Sequence, residues 1–262
     1  MNANWTEQAI GESRLVLHVG GALANLDQVT AIDTPEPTKS WVPVPHRQLI
    51  DEVCETLGRS NLAVKESAFA LYAGGRRFFG LLGLDVRGGD GEYQLVVGLR
   101  NSHDMSFPVG MVVGSRVFVC DNLAFSSEIQ VTRRHTKNLM GDLPRLITTA
   151  CGMINASAET QERRFKHYKE TTLTDEQAHD IMIQSLDVQA VGSTALPKVL
   201  ANWREPPHEE FRQGHTAWRL FNAYTETFKQ YKGEFLPSRS IALQGLMDTY
   251  TRFQFNQPTI AV

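Results

Sequence analysis

The sequence is poor in the residues that build several common kinds of site. Its 262 residues include only three cysteines, Cys54, Cys120 and Cys151, scattered and with no C-x-x-C pair. That excludes a disulfide framework and a zinc knuckle, and leaves these thiols as small buried hydrophobes. No run approaches the ~20 apolar residues of a membrane-spanning helix. The stretch Met1 to Glu12 carries Glu7 and Glu12 instead of a basic start and an apolar block, so no secretory signal is read there. A cytoplasmic protein without membrane contact is the expectation. Glycine motifs are missing as well. Gly80-Leu81-Leu82-Gly83 and Arg87-Gly88-Gly89-Asp90-Gly91 match neither G-x-x-x-x-G-K-S/T nor G-x-G-x-x-G at a strand-to-helix junction, which excludes a P-loop. Charge of one sign is also lacking: 26 Lys and Arg stand against 29 Asp and Glu, a net −3. Any binding of nucleic acid must come from a local patch.

What is present is enough for a core, since 42% of the residues are hydrophobic. Leu15 to Val19 reads as a short strand, and Asp33 to Ser40 is a Pro-containing linker. A helix follows from Pro45, with Leu49, Ile50, Val53, Cys54 and Leu57 on one stripe and Gly58 at the place of a left-handed cap. From Asn61 to about Arg134 the pattern is that of strands. Glu66–Ala73 and Arg76–Asp85 flank a turn at Gly74-Gly75, and Glu92–Arg100 forms a third strand. Phe107–Val113 and Arg116–Cys120 read as a hairpin across Gly114-Ser115, with a further strand at Glu128–Arg134. No helix-length segment separates these strands, so the sheet is expected to be an antiparallel meander.

After Gly141 the period becomes helical. One helix runs from Leu143 and continues through Phe165 and Tyr168; Thr174 to Gln177 is a capping box for the next. Leu196–Trp203, the aromatic stretch Ala217 to Tyr231, and a segment from Pro237 through Tyr250 complete the set. The fold class is therefore α+β, an antiparallel meander in the first half packed with a helical C-terminal half. Its parts are an N-terminal arm and linker (1–44), a helix plus sheet (45–140) and a helical region packing on the sheet (141–262), the last two also readable as one continuous domain.

Candidate chemistry concentrates in a few places. Arg100-Asn101-Ser102-His103-Asp104 is the most polar segment beside the sheet. It reads as a turn whose side chains bond local backbone, as a ligand-contacting loop, or as a Ser-His-Asp nucleophile, although consecutive residues point in different directions. Cys120-Asp121-Asn122 ends a strand, and His103, Asp104, Cys120 and Asp121 would suffice for a metal if the strands were neighbours, without any ligand spacing to support it. No cofactor and no catalytic residue is expected. His215, Trp218, Phe221, Tyr224 and Phe228 sit at core spacing, which favours packing over ligand contact.

Charge distribution says more. Residues 131–170 hold eight Lys and Arg against four acids, a local +4, leaving −7 on the rest. Arg76 and Arg77 precede Phe78-Phe79, and Arg100 lies beside the sheet. Cations interleaved with aromatics make up a single-strand binding surface, where cations track phosphates and rings stack on bases. Arg76, Arg77, Arg100, Arg133, Arg134 and Lys137 are the expected phosphate contacts, with Phe78 stacking.

Three stretches together resemble a known family: Arg100 to Asp104, Phe118 to Leu123, and Gly214 to Glu226. Their order and spacing are similar to the phage/plasmid-like proteins of domain of unknown function nine-three-two, over roughly Leu49 to Tyr250. The motif residues are Asn101, Ser102, His103, Asp104, Cys120, Asp121 and Asn122. The resemblance implies a mobile-element setting and supplies no activity. Hairpins followed by helices also look like the core of phage single-strand annealing proteins, an analogy of fold. The leading expectation is an oligomeric, non-enzymatic protein that binds single-stranded DNA or RNA and promotes annealing. The rival is a protein-interaction factor that modulates a host defence or replication component.

Overall fold

The computed structural model describes residues 22–88, 93–117, 122–231 and 235–254. The reading of a strand at Leu15–Val19 lies outside them. A short strand β1 (Ala22–Ala24) and a five-residue helix α1 (Leu26–Thr30) come first, the latter opened by an Asn25–Gln28 capping box. Helix α2 (His46–Arg59) buries the stripe read from the sequence, Leu49, Ile50, Val53, Cys54 and Leu57. Its end differs from expectation: Gly58 stays within the last turn, and Asn61 takes the left-handed conformation at φ +58°. Asparagine tolerates that region because its short polar side chain bonds locally.

Strands β2 (Val64–Tyr72), β3 (Arg77–Gly88), β4 (Tyr93–Ser102), β5 (Val109–Val117) and β6 (Asn122–Arg133) pair antiparallel in chain order, with β1 on the outer edge of β2. The turn at Gly74-Gly75 is present, with Ala73, Gly74 and Gly75 all at positive φ. The hairpin expected at Gly114-Ser115 is not. β5 runs straight through both residues, which pair with Val96 and Leu95, and the connection to β6 falls between the paired ends Val117 and Asn122. Gly114 instead borders a register shift against β6, one of the positions where glycine serves a strand. A second irregularity separates Gly83 from Arg87. There the Gln94 side chain lies against Gly83 and donates to the Leu84 carbonyl at 2.8 Å.

The expected long helix after Gly141 is two, α3 (Leu139–Gly152) and α4 (Ile154–Glu170), broken at Met153, next to the poor helix former Gly152. Then come α5 (Asp175–Asp187), α6 (Leu196–Arg204), α7 (Ala217–Phe228) and α8 (Leu236–Thr251). The capping box at α5 forms as read: Thr174 Oγ1 accepts from the Gln177 amide at 3.2 Å, and Gln177 Oε1 accepts from the Thr174 amide at 2.8 Å. Arg219 of α7 closes the end of α6, donating to the carbonyls of Trp203 and Arg204 with its guanidinium 5.1 Å from the Trp203 ring.

Nearly every residue of β4 from Tyr93 to Leu99 is buried, so the meander is covered on both faces. The helical half joins its core directly: Phe165 of α4 meets Tyr93 edge-on at 5.1 Å, and Trp218 and Phe221 of α7 close around Phe165. Phe221, Tyr224 and Phe228 of α7 are thus core and Trp218 is half-buried against them, whereas His215, expected on the same stripe, precedes the helix and is exposed. One polar cluster is sealed inside the helices. Arg164 donates from Nε to both Asp248 oxygens at 3.0 and 3.1 Å, and Tyr168 and Gln161 join the same group.

Candidate functional site

The Asn-Ser-His-Asp segment lies at the end of β4, and alternation decides where each side chain goes. Asn101 follows the parity of Leu99 and Val97 and points inward; it pairs with Phe78 across the sheet and is fully buried. Two more histidines meet it from far away in the chain, His46 in the first turn of α2 and His135 just after β6. Asn101 Nδ2 donates to the Val44 carbonyl at 2.7 Å and to His46 Nδ1 at 2.9 Å, while its Oδ1 accepts from His135 Nε2 at 2.8 Å. His46 Nε2 donates to the Gly75 carbonyl at 2.9 Å, and His103 Nε2 to the Val44 carbonyl at 2.8 Å. His46 and His103 stack in parallel at 3.9 Å, with Phe78 on the other contact of His46 at 5.3 Å.

Because carbonyl oxygens only accept, these contacts fix the protons. His46, His103 and His135 each carry hydrogen on Nε2, and His46 Nδ1 is left as the acceptor that Asn101 needs. Burial pushes His46 down to about 4, with the adjacent His103 adding to the shift, and His135 goes down to about 4 for the same two reasons. The cluster is a buried polar lock joining the segment before α2, the β2–β3 turn, β4 and the exit of β6. The sequence signal for it was an asparagine at an inward position of an apolar strand, a position that demands partners when buried.

The remaining motif residues shape the loop. Ser102 Oγ donates to the Phe107 carbonyl at 2.7 Å. Asp104 accepts from Arg77 Nε at 2.7 Å and from the Ser106 amide at 3.2 Å. Partial burial works against its charge, but the bonds from Ser106 and Arg77 hold its carboxyl below the usual range. Ser102, His103 and Asp104 make no bonds with one another in this arrangement, so the nucleophile reading is corrected: each points to a different partner. Cys120 and Asp121 lie outside the described residues, and Asn122 is seen as the backbone start of β6. Among the described residues no three His, Cys, Asp or Glu are placed to hold a metal ion. Cys54 and Cys151 are buried, and burial raises their thiols to about 12 and about 11.

The six cations expected to meet phosphates all fall at one end of the sheet. Arg76 is in the β2–β3 turn, Arg77 pairs with Ser102, Arg100 with Gly110, and Arg133 with Val109; Arg134 and Lys137 follow β6. Three strand spacings separate β3 from β6, about 14 Å. They do not share one face. Arg100 stands opposite Gly110, which stands opposite Thr132, so Arg100 and the next residue, Arg133, project to opposite sides. Two are engaged by carboxylates, Arg77 by Asp104 and Arg133 by Asp142 of α3. Arg76, Arg134 and Lys137 are exposed. Phe78 has to be corrected: it is fully buried against His46 and Phe69, because it faces inward in the row that contains Asn101. Among the rings that reach the surface here are Phe107, half-buried under the Arg100 guanidinium at 5.7 Å, Trp41, half-buried beside His135 at 5.9 Å, and Tyr72, half-buried opposite Arg77.

Fold and site together define an α+β protein: an antiparallel meander tied to its helices by a buried histidine–asparagine lock, with Arg76, Arg134 and Lys137 exposed at the same end of the sheet. The chain belongs to the family described as Domain of unknown function (DUF932), whose model matches residues 37–252. That span takes in every residue of the lock. No curated protein and no solved structure matches the chain. No described helix is long and apolar enough to cross a membrane.

Proposed function

We propose that this protein binds single-stranded nucleic acid along the rim formed by the β2–β3 turn, the β4–β5 loop and the exit of β6. The observation that supports this reading is that exposed Arg76, Arg134 and Lys137 lie at the same end of the sheet as the half-buried rings of Phe107 and Trp41. Cations take the phosphates and rings take the bases, and such binding tolerates any sequence because every base has a π-face. Beneath it, the buried lock keeps the three loops in register, so the rim is preorganised. Annealing would follow if copies of the chain aligned two strands on adjacent rims.

The test is fluorescence anisotropy with a labelled single-stranded oligonucleotide over a range of salt. Each phosphate contact on a single strand contributes about 0.7 to the slope of log K against log salt. Replacing Arg134 and Lys137 together with alanine is expected to lower that slope by about 1.4. No binding at low salt ends this reading, and an unchanged slope in the double variant moves the interface elsewhere.

A further inference from the structure

The loop between β4 and β5 carries an apolar side chain under two penalties at once. Met105 is 60% exposed, the most of any large apolar residue among those described. Its backbone is also left-handed, at φ +61°. Glycine, asparagine and aspartate suit that region, and a bulky side chain there is an outlier. Hydrocarbon left in water and a strained backbone therefore meet at one residue, and neither helps the fold.

Bonds on both sides impose this conformation. Before Met105, His103 is fixed by its Nε2 bond to the Val44 carbonyl, and its amide donates to the Arg76 carbonyl at 2.6 Å. Asp104 is held by Arg77 Nε and accepts from the amide and hydroxyl of Ser106 at 3.2 and 2.5 Å. After it, the Phe107 amide donates to Ser102 Oγ at 3.3 Å, and that hydroxyl donates to the Phe107 carbonyl. None of these bonds uses the Met105 side chain. Strained residues persist only where their surroundings over-determine them, and they cluster at ligand clamps. The backbone bond from His103 to Arg76 also sets Met105 beside an exposed cation, two residues from the half-buried ring of Phe107.

We propose that Met105 is a wedge: its side chain inserts between adjacent bases of a single strand bound on the rim, while Arg76 beside it takes a phosphate. An unbranched, flexible side chain enters a base step and parts the two bases. Because the loop already presents it in water, little ordering is left to do on binding. This inference rests on the reading of the rim as a nucleic-acid surface and names the residue that opens the stack.

The probe is an oligodeoxyadenylate with a run of 2-aminopurines through its middle, a base that is dim when stacked on its neighbours and bright when parted from them. Binding of the full chain is expected to raise the fluorescence saturably. Met105→Gly should lose most of that rise and weaken binding about fivefold, the low end of what a side chain against a base contributes. The salt slope of the variant should match the wild type, because no phosphate contact is lost. Its melting temperature should rise, since glycine takes φ +61° without a Cβ penalty. Met105→Leu keeps an apolar side chain of similar size and should keep most of the fluorescence rise. Wild-type binding with no rise in fluorescence overturns the wedge and leaves the rim standing, as does equal fluorescence and affinity in the glycine variant. A lower melting temperature of that variant overturns it too, by placing Met105 among the contacts of the fold. Absence of any binding by the wild-type chain removes the rim and the wedge together.

Discussion

Acid should loosen this protein through two buried imidazoles. In the unfolded chain His46 and His135 titrate near the ordinary value of about 6.5. In the folded chain burial, reinforced by neighbouring His103, holds both at about 4. Between those values the unfolded state binds more protons than the folded one, so stability is fully present above about pH 6.5 and is lost as the pH falls toward 4. The full difference of about 2.5 pK units corresponds to about 3 kcal/mol for each histidine, and at pH 5 about 2 kcal/mol each is already lost. The two together remove about 4 kcal/mol between pH 8 and pH 5, a large share of the ~5–15 kcal/mol that holds a typical domain. Asp104, held low by Ser106 and Arg77, gives up its own contribution only at more acid pH. Urea unfolding followed by tryptophan fluorescence across pH 5 to 8 measures the effect. His135→Gln, which keeps a hydrogen-bonding side chain without a titrating group, should halve the slope. Stability that stays level from pH 8 to pH 5, or His46 and His135 imidazole resonances that titrate near 6.5 in the folded protein, would refute the reasoning.

Two further outcomes follow from the packing. Arg164→Met strands Asp248 as a buried charge and should cost about 3–5 kcal/mol, whereas adding Asp248→Leu should recover most of the loss, since a well-packed apolar pair replaces a buried ion pair at little cost. A double-mutant cycle by urea denaturation checks it, and equal instability of the single and double variants would contradict it. Gly75→Ala places a Cβ at φ +87° and hard against Ile32 Cδ1. The left-handed conformation alone costs about 1–2 kcal/mol. Because the Gly75 carbonyl accepts from His46, the variant should also shift the His46 imidazole resonance, and an unshifted resonance would show that the turn and the lock are uncoupled.

Much of the fold is visible in the residues themselves. Thr174 and Gln177 announce the start of α5 because a capping box is a local bargain between a side chain and the backbone three residues on. The stripe of α2 and the turn at Gly74-Gly75 are equally local. The misread hairpin at Gly114-Ser115 shows the limit of that logic: a glycine tolerates a turn and a strand irregularity alike, and only the partner strands decide between them. Phe78 was misassigned for a related reason. Its neighbours Arg76 and Arg77 suggest a surface, yet strand parity turns it inward with Asn101.

The sequence by itself determined the α+β class and the antiparallel meander, since both rest on spacing within a few residues. Tertiary structure alone decided where the side chains of the Asn-Ser-His-Asp segment go. Asn101 finds its partners 55 and 34 residues away, at His46 and His135, and a hydrogen bond between such distant residues exists only once strands and helix have packed. The same packing set Asp104 on Arg77 and Asp142 on Arg133, while Arg76, Arg134 and Lys137 stay exposed.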